Sequence, residues 1–186
     1  MPAQLILASG SPRRREMLAK AGLTFEVIPS PAEELHEESM PLDLLCEENA
    51  RLKALDVAKD NPKATVIGAD TLVYIDQTPL GKPRTPEQAH EMLKKLSGKT
   101  HQVCTGVCIA HGQQIDTFHV ITEVVFKELT DELIADYMSK VDVMDKAGSY
   151  AVQEHGEMII TEVRGDYDNV VGLPVQQLLE RLARLT

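Results

Sequence analysis

The stretch Leu5-Ile6-Leu7-Ala8-Ser9-Gly10-Ser11-Pro12-Arg13-Arg14-Arg15 constrains the fold more than any other part of this chain. The apolar run Leu5 to Ala8 reads as a buried strand. Ser9-Gly10-Ser11 is a tight polar turn in which glycine lets the backbone approach a ligand closely. Pro12 suits the first position of a helix, with Ser11 as the capping residue before it. The segment therefore reads strand, glycine turn, helix N-terminus, and such a terminus attracts anions. Three arginines there are electrostatically odd, because cations at the positive end of a helix dipole are disfavoured by about 0.3–1 kcal/mol each. A polyanion against the turn resolves this; so does a solvated basic helix start paired with the chain's many carboxylates, and the segment alone leaves both open. Successive helical residues rotate by about 100°, so the three cannot share one ligand. Arg13 and Arg14 are expected to face it and Arg15 to face solvent or an interface.

Composition narrows the partners. The 186 residues suffice for one α/β domain, or two small lobes with a shared core. With 4% aromatic residues and no Trp, base-stacking platforms for single-stranded nucleic acid are not expected. A net charge of −10 makes the chain a poor general binder of nucleic acid or anionic membrane. A local cluster of Arg and Lys in that background points to a small, highly charged ligand. No apolar run approaches the roughly 20 residues of a membrane span. The N-terminus lacks a basic region followed by a cleavage site, so a cytoplasmic protein is expected. Cys46, Cys104 and Cys108 have no zinc-like pairing and read as reduced structural thiols.

Along the chain, Arg14 to Lys20 continues the first helix, stopped by Gly22. Phe25 to Ile28 reads as a strand. A proline-bounded loop over 29–41 carries Glu33, Glu34, Glu37 and Glu38; most such carboxylates are solvated, while one or two can reach a metal ion. Asp43 to Asp60 reads as a helix with an apolar stripe. Thr65 to Asp70 is a buried strand ending in a carboxylate; Thr71 to Ile75 continues the pattern, which makes Gly68 a candidate bend or bulge. Thr85-Pro86-Glu87 starts a helix stopped by Gly98. His101 to Ala110 and Gln114 to Leu129 read as a hairpin turned near Gly112. Thr130 caps a helix through Lys140, Glu157 to Val163 reads as a strand, and Pro174 to Leu185 as a closing amphipathic helix. The order predicts an α/β fold, a mixed β-sheet with flanking helices, with a division into lobes near residues 77–100.

Asp70 is the sharpest catalytic candidate on local grounds. A carboxylate ending an apolar strand lies where open α/β sheets place their ligands. Phosphate and Asp repel, so a cation between them is implied, and Mg²⁺ is held by one or two carboxylates plus substrate phosphates. Equally, Asp70 could cap the following turn. Lys82, in the rigid turn Gly81-Lys82-Pro83, can neutralise phosphate oxygens or be an ordinary turn lysine. Gln153 can meet a ligand or the backbone. Lys53 by itself reads as a surface lysine. No G-x-x-x-x-G-K-[ST] and no G-x-G-x-x-G occurs, which disfavours ordinary ATPase and dinucleotide chemistry. The six histidines lack metal spacings and read as structural or surface residues.

Six motifs then fall in one order: L-I-L-A-S-G-S-P-R-R (5–14), I-G-A-D-T (67–71), G-K-P (81–83), K-L-S-G (95–98), D-K-A-G-S-Y (145–150) and V-G-L-P (171–174). Together they closely resemble the Maf family of nucleoside triphosphate pyrophosphatases, also called septum formation inhibitor proteins. The resemblance spans residue 4 to about residue 182. It implies a single domain over 1–186 with two lobes around a central cleft, similar to inosine triphosphate pyrophosphatases. It also implies cleavage between the α- and β-phosphates to a nucleoside monophosphate and pyrophosphate, in a nucleotide-pool-cleaning role connected with septum formation. The family's functional residues fall on Ser9, Arg13, Arg14, Glu33, Lys53, Asp70, Lys82 and Gln153.

Asp70-Thr71 with Tyr150 and Gln153 resembles the branch that hydrolyses dTTP and UTP, with modified pyrimidine nucleotides as further candidates. On this expectation Arg13, Arg14, Lys53 and Lys82 grip the triphosphate, aided by Ser9 and Ser11. Mg²⁺ or Mn²⁺ sits on Asp70 and Glu33, Asp70 accepts the proton of the attacking water, and Thr71 and Gln153 read the base. The family also suggests a homodimer. One departure stands out: Tyr150-Ala151-Val152-Gln153 replaces the usual Y-G-I-Q, so a positive φ at Ala151 would strain the chain or shift Gln153. The other class of function is a nucleotide-binding regulator of cell division without turnover.

Overall fold

The computed structural model of the protein describes residues 4–36 and 39–185, so Glu37 and Glu38 of the acidic loop lie outside the described residues. The opening stretch forms the expected unit: β1 (Leu5–Leu7) runs through the Ser9 turn into α1 (Pro12–Lys20), with Pro12 at its first position. There follow β2 (Glu26–Val27), α2 (Leu42–Ala58), β3 (Thr65–Ile75), β4 (Thr78–Leu80), α3 (Pro86–Leu96), β5 (Thr100–His111) and β6 (Gln114–Phe126). The remainder holds α4 (Asp131–Lys140), β7 (Ile160–Arg164), α5 (Tyr167–Val171) and α6 (Val175–Leu185). Among the described residues the strands form one mixed sheet, ordered β2-β1-β3-β5-β6-β7 with β4 on β3. The fold is thus mixed α/β. No helix among the described residues is long and apolar enough to cross a membrane.

The chain divides into two compact units: Met1–Thr71 with Thr105–Val120 and Gly172–Thr186, and Leu72–Cys104 with Ile121–Val171. Residues 77–100 lie within the second.

In the first unit β1 pairs in parallel with both β2 and β3, Leu7 lying opposite Val27 and Ile67. Alternation along the strands sorts the side chains. Ile6, Ala8 and Val66 pack with Ala50, Ala54 and Val57 of α2, while Leu7, Ile67 and Ala69 pack with Leu18 of α1 and Leu178 of α6. Gly68 is neither bend nor bulge. It lies inside the continuous strand β3, where a Cβ would come 2.2 Å from Ala50 O and 2.7 Å from Ala54 N. Glycine is needed there because the backbone of α2 lies directly on the strand.

The second unit packs α3 and α4 around Tyr137, Leu93 and Leu96. Thr85 and Thr130 cap these helices as expected, accepting from Gln88 N and Leu133 N, both at 3.2 Å. Two elements escaped the sequence. β4 pairs antiparallel with the end of β3 across Asp76-Gln77, both with positive φ. This is the left-handed pair a two-residue hairpin requires, without the glycine that usually marks it. α5 is a five-residue helix whose Asn169 N donates to Asp166 Oδ1 at 3.1 Å. The last strand begins at Ile160 rather than Glu157, because a short 3₁₀ turn occupies Gly156–Met158. All three cysteines are buried.

His101 is enclosed by Phe126 and Tyr150 in edge-to-face packing, with Nε2 2.7 Å from Tyr150 Oη. Burial pushes its pKa down from 6.5 to about 4, so the folded state holds the ring neutral. The unfolded chain takes up a proton at higher pH, so this group's contribution is intact above pH 6.5 and is lost as pH falls toward 4. Urea denaturation should therefore show unfolding free energy falling by about 2 kcal/mol between pH 7.5 and 5 on account of His101. That part of the decline should vanish in His101→Gln; an equally steep decline in the variant refutes the assignment.

Candidate active site

The turn after β1 is organised by a buried arginine. The ladder continues one residue past β1, Ala8 N donating to Ile67 O at 2.8 Å, and the chain then leaves the sheet at Ser9. Ser9 Oγ accepts from Ser11 N at 3.3 Å and from Arg14 Nη1 at 3.1 Å. Ser11 occupies the cap position of α1, but its side chain makes no capping bond. Arg14, one helical turn before buried Leu18, points inward. Its Nε donates to Gly172 O at 2.8 Å, Nη1 to Ala69 O at 3.0 Å and Nη2 to Thr71 Oγ1 at 2.9 Å. Four of its five N–H groups thus meet protein acceptors. Gly172 has φ of 132°, a conformation that favours glycine. Burial lowers the Arg14 pKa, opposed chiefly by the charge of Asp70, and a guanidinium stays protonated regardless. Arg13 is half-buried beside it and Arg15 is exposed.

The acid comes from β3. Asp70 does not end that strand, which continues to Ile75; the carboxylate instead lies just past the point where β1 stops. Alternation turns Asp70 toward α2, the side of Val66 and Gly68, and Thr71 toward Arg14. Lys53 Nζ lies 2.8 Å from Asp70 Oδ1 and 2.6 Å from Glu34 Oε1, with its side chain only 12% exposed. Asn49 Nδ2 donates to Asp70 Oδ2 at 3.0 Å. Lys53 is therefore no surface lysine; it joins the acidic loop to the strand. The two clusters touch at one peptide, since Ala69 O accepts from Arg14 and lies 3.5 Å from Lys53 Nζ.

Of the predicted residues, Ser9, Arg14 and Thr71 come together in one group and Lys53 and Asp70 in the next. Glu33 is exposed, and its neighbour Glu34 is the carboxylate that meets Lys53. Thr71 Oγ1 also bonds Thr105 Oγ1 at 2.9 Å. Lys82 and Gln153 are both exposed and belong to the second unit. There Gly81 O accepts from Gly148 N at 3.1 Å, which fixes the turn bearing Lys82. Ala151 has no positive φ. Its N–H donates to Tyr137 Oη at 3.0 Å, so the residue that replaces the family's glycine is held without strain two residues before Gln153.

Asn49 was missed. It precedes Lys53 by four residues on α2, and a polar side chain beside an apolar helix stripe at that spacing is the signal that would have found it.

No group of three or more His, Cys, Asp or Glu converges as a metal site among the described residues. Two carboxylates, Asp70 and Glu34, do converge on one cation, the Lys53 ammonium. That pair of hard oxygen donors fits Mg²⁺ or Mn²⁺.

Comparison with known proteins agrees over nearly the whole chain. A family model described as "Maf-like protein" matches residues 4–185. A protein of Akkermansia muciniphila, named dTTP/UTP pyrophosphatase, is 57% identical over 178 residues, covering 96% of this chain and 94% of its own. A protein of the same name from Bacillus cereus (strain G9842) is 45% identical over 180 residues, with the same coverage. The solved Staphylococcus aureus Ham1 protein is 18% identical, covers 67% of this chain and 72% of its own, and superposes with a TM-score of 0.47.

The Arg14 fork predicts a large structural loss on Arg14→Lys, since an ammonium cannot reproduce four divergent hydrogen bonds. Unfolding free energy measured in urea should fall by about 3–5 kcal/mol, the usual cost of breaking a buried charged network. A loss below about 1 kcal/mol, typical of an exposed contact, contradicts this assignment.

Proposed function

This chain belongs to the Maf family, and from that premise we propose that it hydrolyses dTTP and UTP to the nucleoside monophosphate and pyrophosphate. The observation that carries the proposal is the Asp70–Lys53 pair, a buried carboxylate held against a cation next to the Ala69 carbonyl that Arg14 of α1 also binds. Acid and cation together suit phosphoryl chemistry, in which positioning and electrostatics supply most of the catalysis. The names of the relatives support the substrate choice.

Asp70 is the general base. It takes a proton from water whose oxygen bonds the α-phosphorus, as the bond from that phosphorus to the α–β bridging oxygen breaks and the pair of electrons leaves on pyrophosphate. Asp70, with Glu33 or Glu34, would hold a divalent cation. When bound, Mg²⁺ or Mn²⁺ lowers the pKa of water and neutralises phosphate charge. Arg13 and Lys53 bind phosphate oxygens, with donors from the Ser9–Ser11 turn. Arg14 acts one step back, fixing Ser9 and Thr71. Removal of pyrimidine triphosphates, modified ones included, is the corresponding cellular role.

The test is pyrophosphate release from a panel of nucleoside triphosphates with Mg²⁺ or Mn²⁺. dTTP and UTP should be the preferred substrates. Asp70→Asn should lower turnover by about 10²–10⁴-fold, the range for loss of a general base, with an unchanged circular dichroism spectrum. Wild-type turnover in that variant contradicts the mechanism. Binding of nucleotide by the wild type without pyrophosphate release identifies a regulator instead.

A further inference from the structure

We propose that Asn49 is a positioning residue for Asp70 and couples it to the acidic loop; the inference rests on the hydrolytic reading above. Asn49 is 1% exposed. Its Oδ1 accepts from Leu35 N at 2.7 Å and its Nδ2 donates to Leu35 O at 3.2 Å, so the side-chain amide pairs with the peptide groups of one loop residue as a strand neighbour does. The remaining Nδ2 hydrogen goes to Asp70 Oδ2 at 3.0 Å.

This arrangement fixes the orientation of the amide. The Leu35 N–H demands an oxygen opposite it, so the NH₂ group necessarily turns to Asp70. Asp70 thereby receives one donor on each oxygen: Asn49 on Oδ2 and Lys53 on Oδ1. Lys53 also binds Glu34, the residue next to Leu35, so loop and acid are tied twice, once by charge and once by a neutral amide. The ammonium is the mobile half, since phosphate oxygens compete with the carboxylates of Asp70 and Glu34 for it. The amide has no charge to be drawn away, and it keeps Asp70 aimed and the loop seated when Lys53 turns to substrate. A shift of about 1 Å in such a group can cost about 100-fold in rate.

Asn49→Asp separates tether from positioning. The introduced carboxyl still accepts the Leu35 N–H, and against Asp70 Oδ2 it either repels that carboxylate or shares one proton with it, so the neutral amide donor is lost either way. We expect kcat for dTTP to fall by about 10-fold or more while KM stays within about 2-fold, and Leu35 amide exchange to keep its wild-type protection. Wild-type kcat in this variant overturns the inference, leaving Asn49 a loop tether. Where Asn49→Asp does not fold, Asn49→Ala decides. It should keep KM, lose kcat and speed Leu35 amide exchange by about 10-fold or more, with other α2 amides unchanged; wild-type kcat again overturns the inference. A wild-type protein that releases no pyrophosphate overturns the hydrolytic reading and this inference with it. Turnover in the wild type with equal turnover in the variants overturns this inference alone.

Discussion

The close approach of α2 to β3 at Gly68 is the constraint on which the acid site depends. With no Cβ at Gly68, the backbone of Ala50 and Ala54 lies directly on the strand. Gly106 of β5 gives the same helix a second seat, where a Cβ would come 2.3 Å from Cys46 O. Asn49 and Lys53 leave α2 beside this contact, and Asp70 is the next residue after Gly68 on the same face of the strand. The asparagine side chain is short. It reaches both Asp70 and the Leu35 backbone only because the helix is seated this deeply. A single side-chain methyl would push the helix outward and part a pair whose strength rests on sub-ångström geometry.

Strand alternation then divides the chemistry between two faces. Asp70 turns toward α2 and its lysine, Thr71 toward α1 and its arginine, and the peptide joining Ala69 to Asp70 lies between. Burying an acid and two cations costs several kcal/mol each unless partners are supplied. Here every partner is supplied locally: Ala69 O, Thr71 Oγ1, Ser9 Oγ and Gly172 O for Arg14, and Asp70 with Glu34 for Lys53. The Arg14 half of this network, with four divergent bonds, permits little rearrangement.

Residues whose chemistry acts over a few neighbours were legible in the sequence. Pro12, Thr85 and Thr130 marked helix starts, because capping is local. Asp70 stood out as an acid in an apolar run. What remained hidden depended on partners distant in the chain. Gly68 reads alike as bulge or as contact surface until α2 is placed on it. Glu33 and Glu34 are indistinguishable until Lys53 selects one. Asn49 looks like any polar residue of a helix, since both its partners lie at least 14 positions away. Asp76-Gln77 forms a tight hairpin without glycine because strand pairing holds both residues left-handed.

The three arginines opening α1 show how a correct electrostatic premise reaches only part of an answer. Cations at a helix N-terminus do call for compensating acceptors. For Arg14 those acceptors are protein oxygens, reached because its position on α1 faces the same core as Leu18. Arg15, a further 100° around, is exposed and needs none. The unusual charge therefore separates into parts. Arg14 assembles Ser9, Thr71 and Gly172 around itself before any ligand arrives. Arg13, the residue before it, is half-buried. An arginine in the first turn of a helix is thus a folding device here, and the burial of its guanidinium, rather than its place in the motif, decides that.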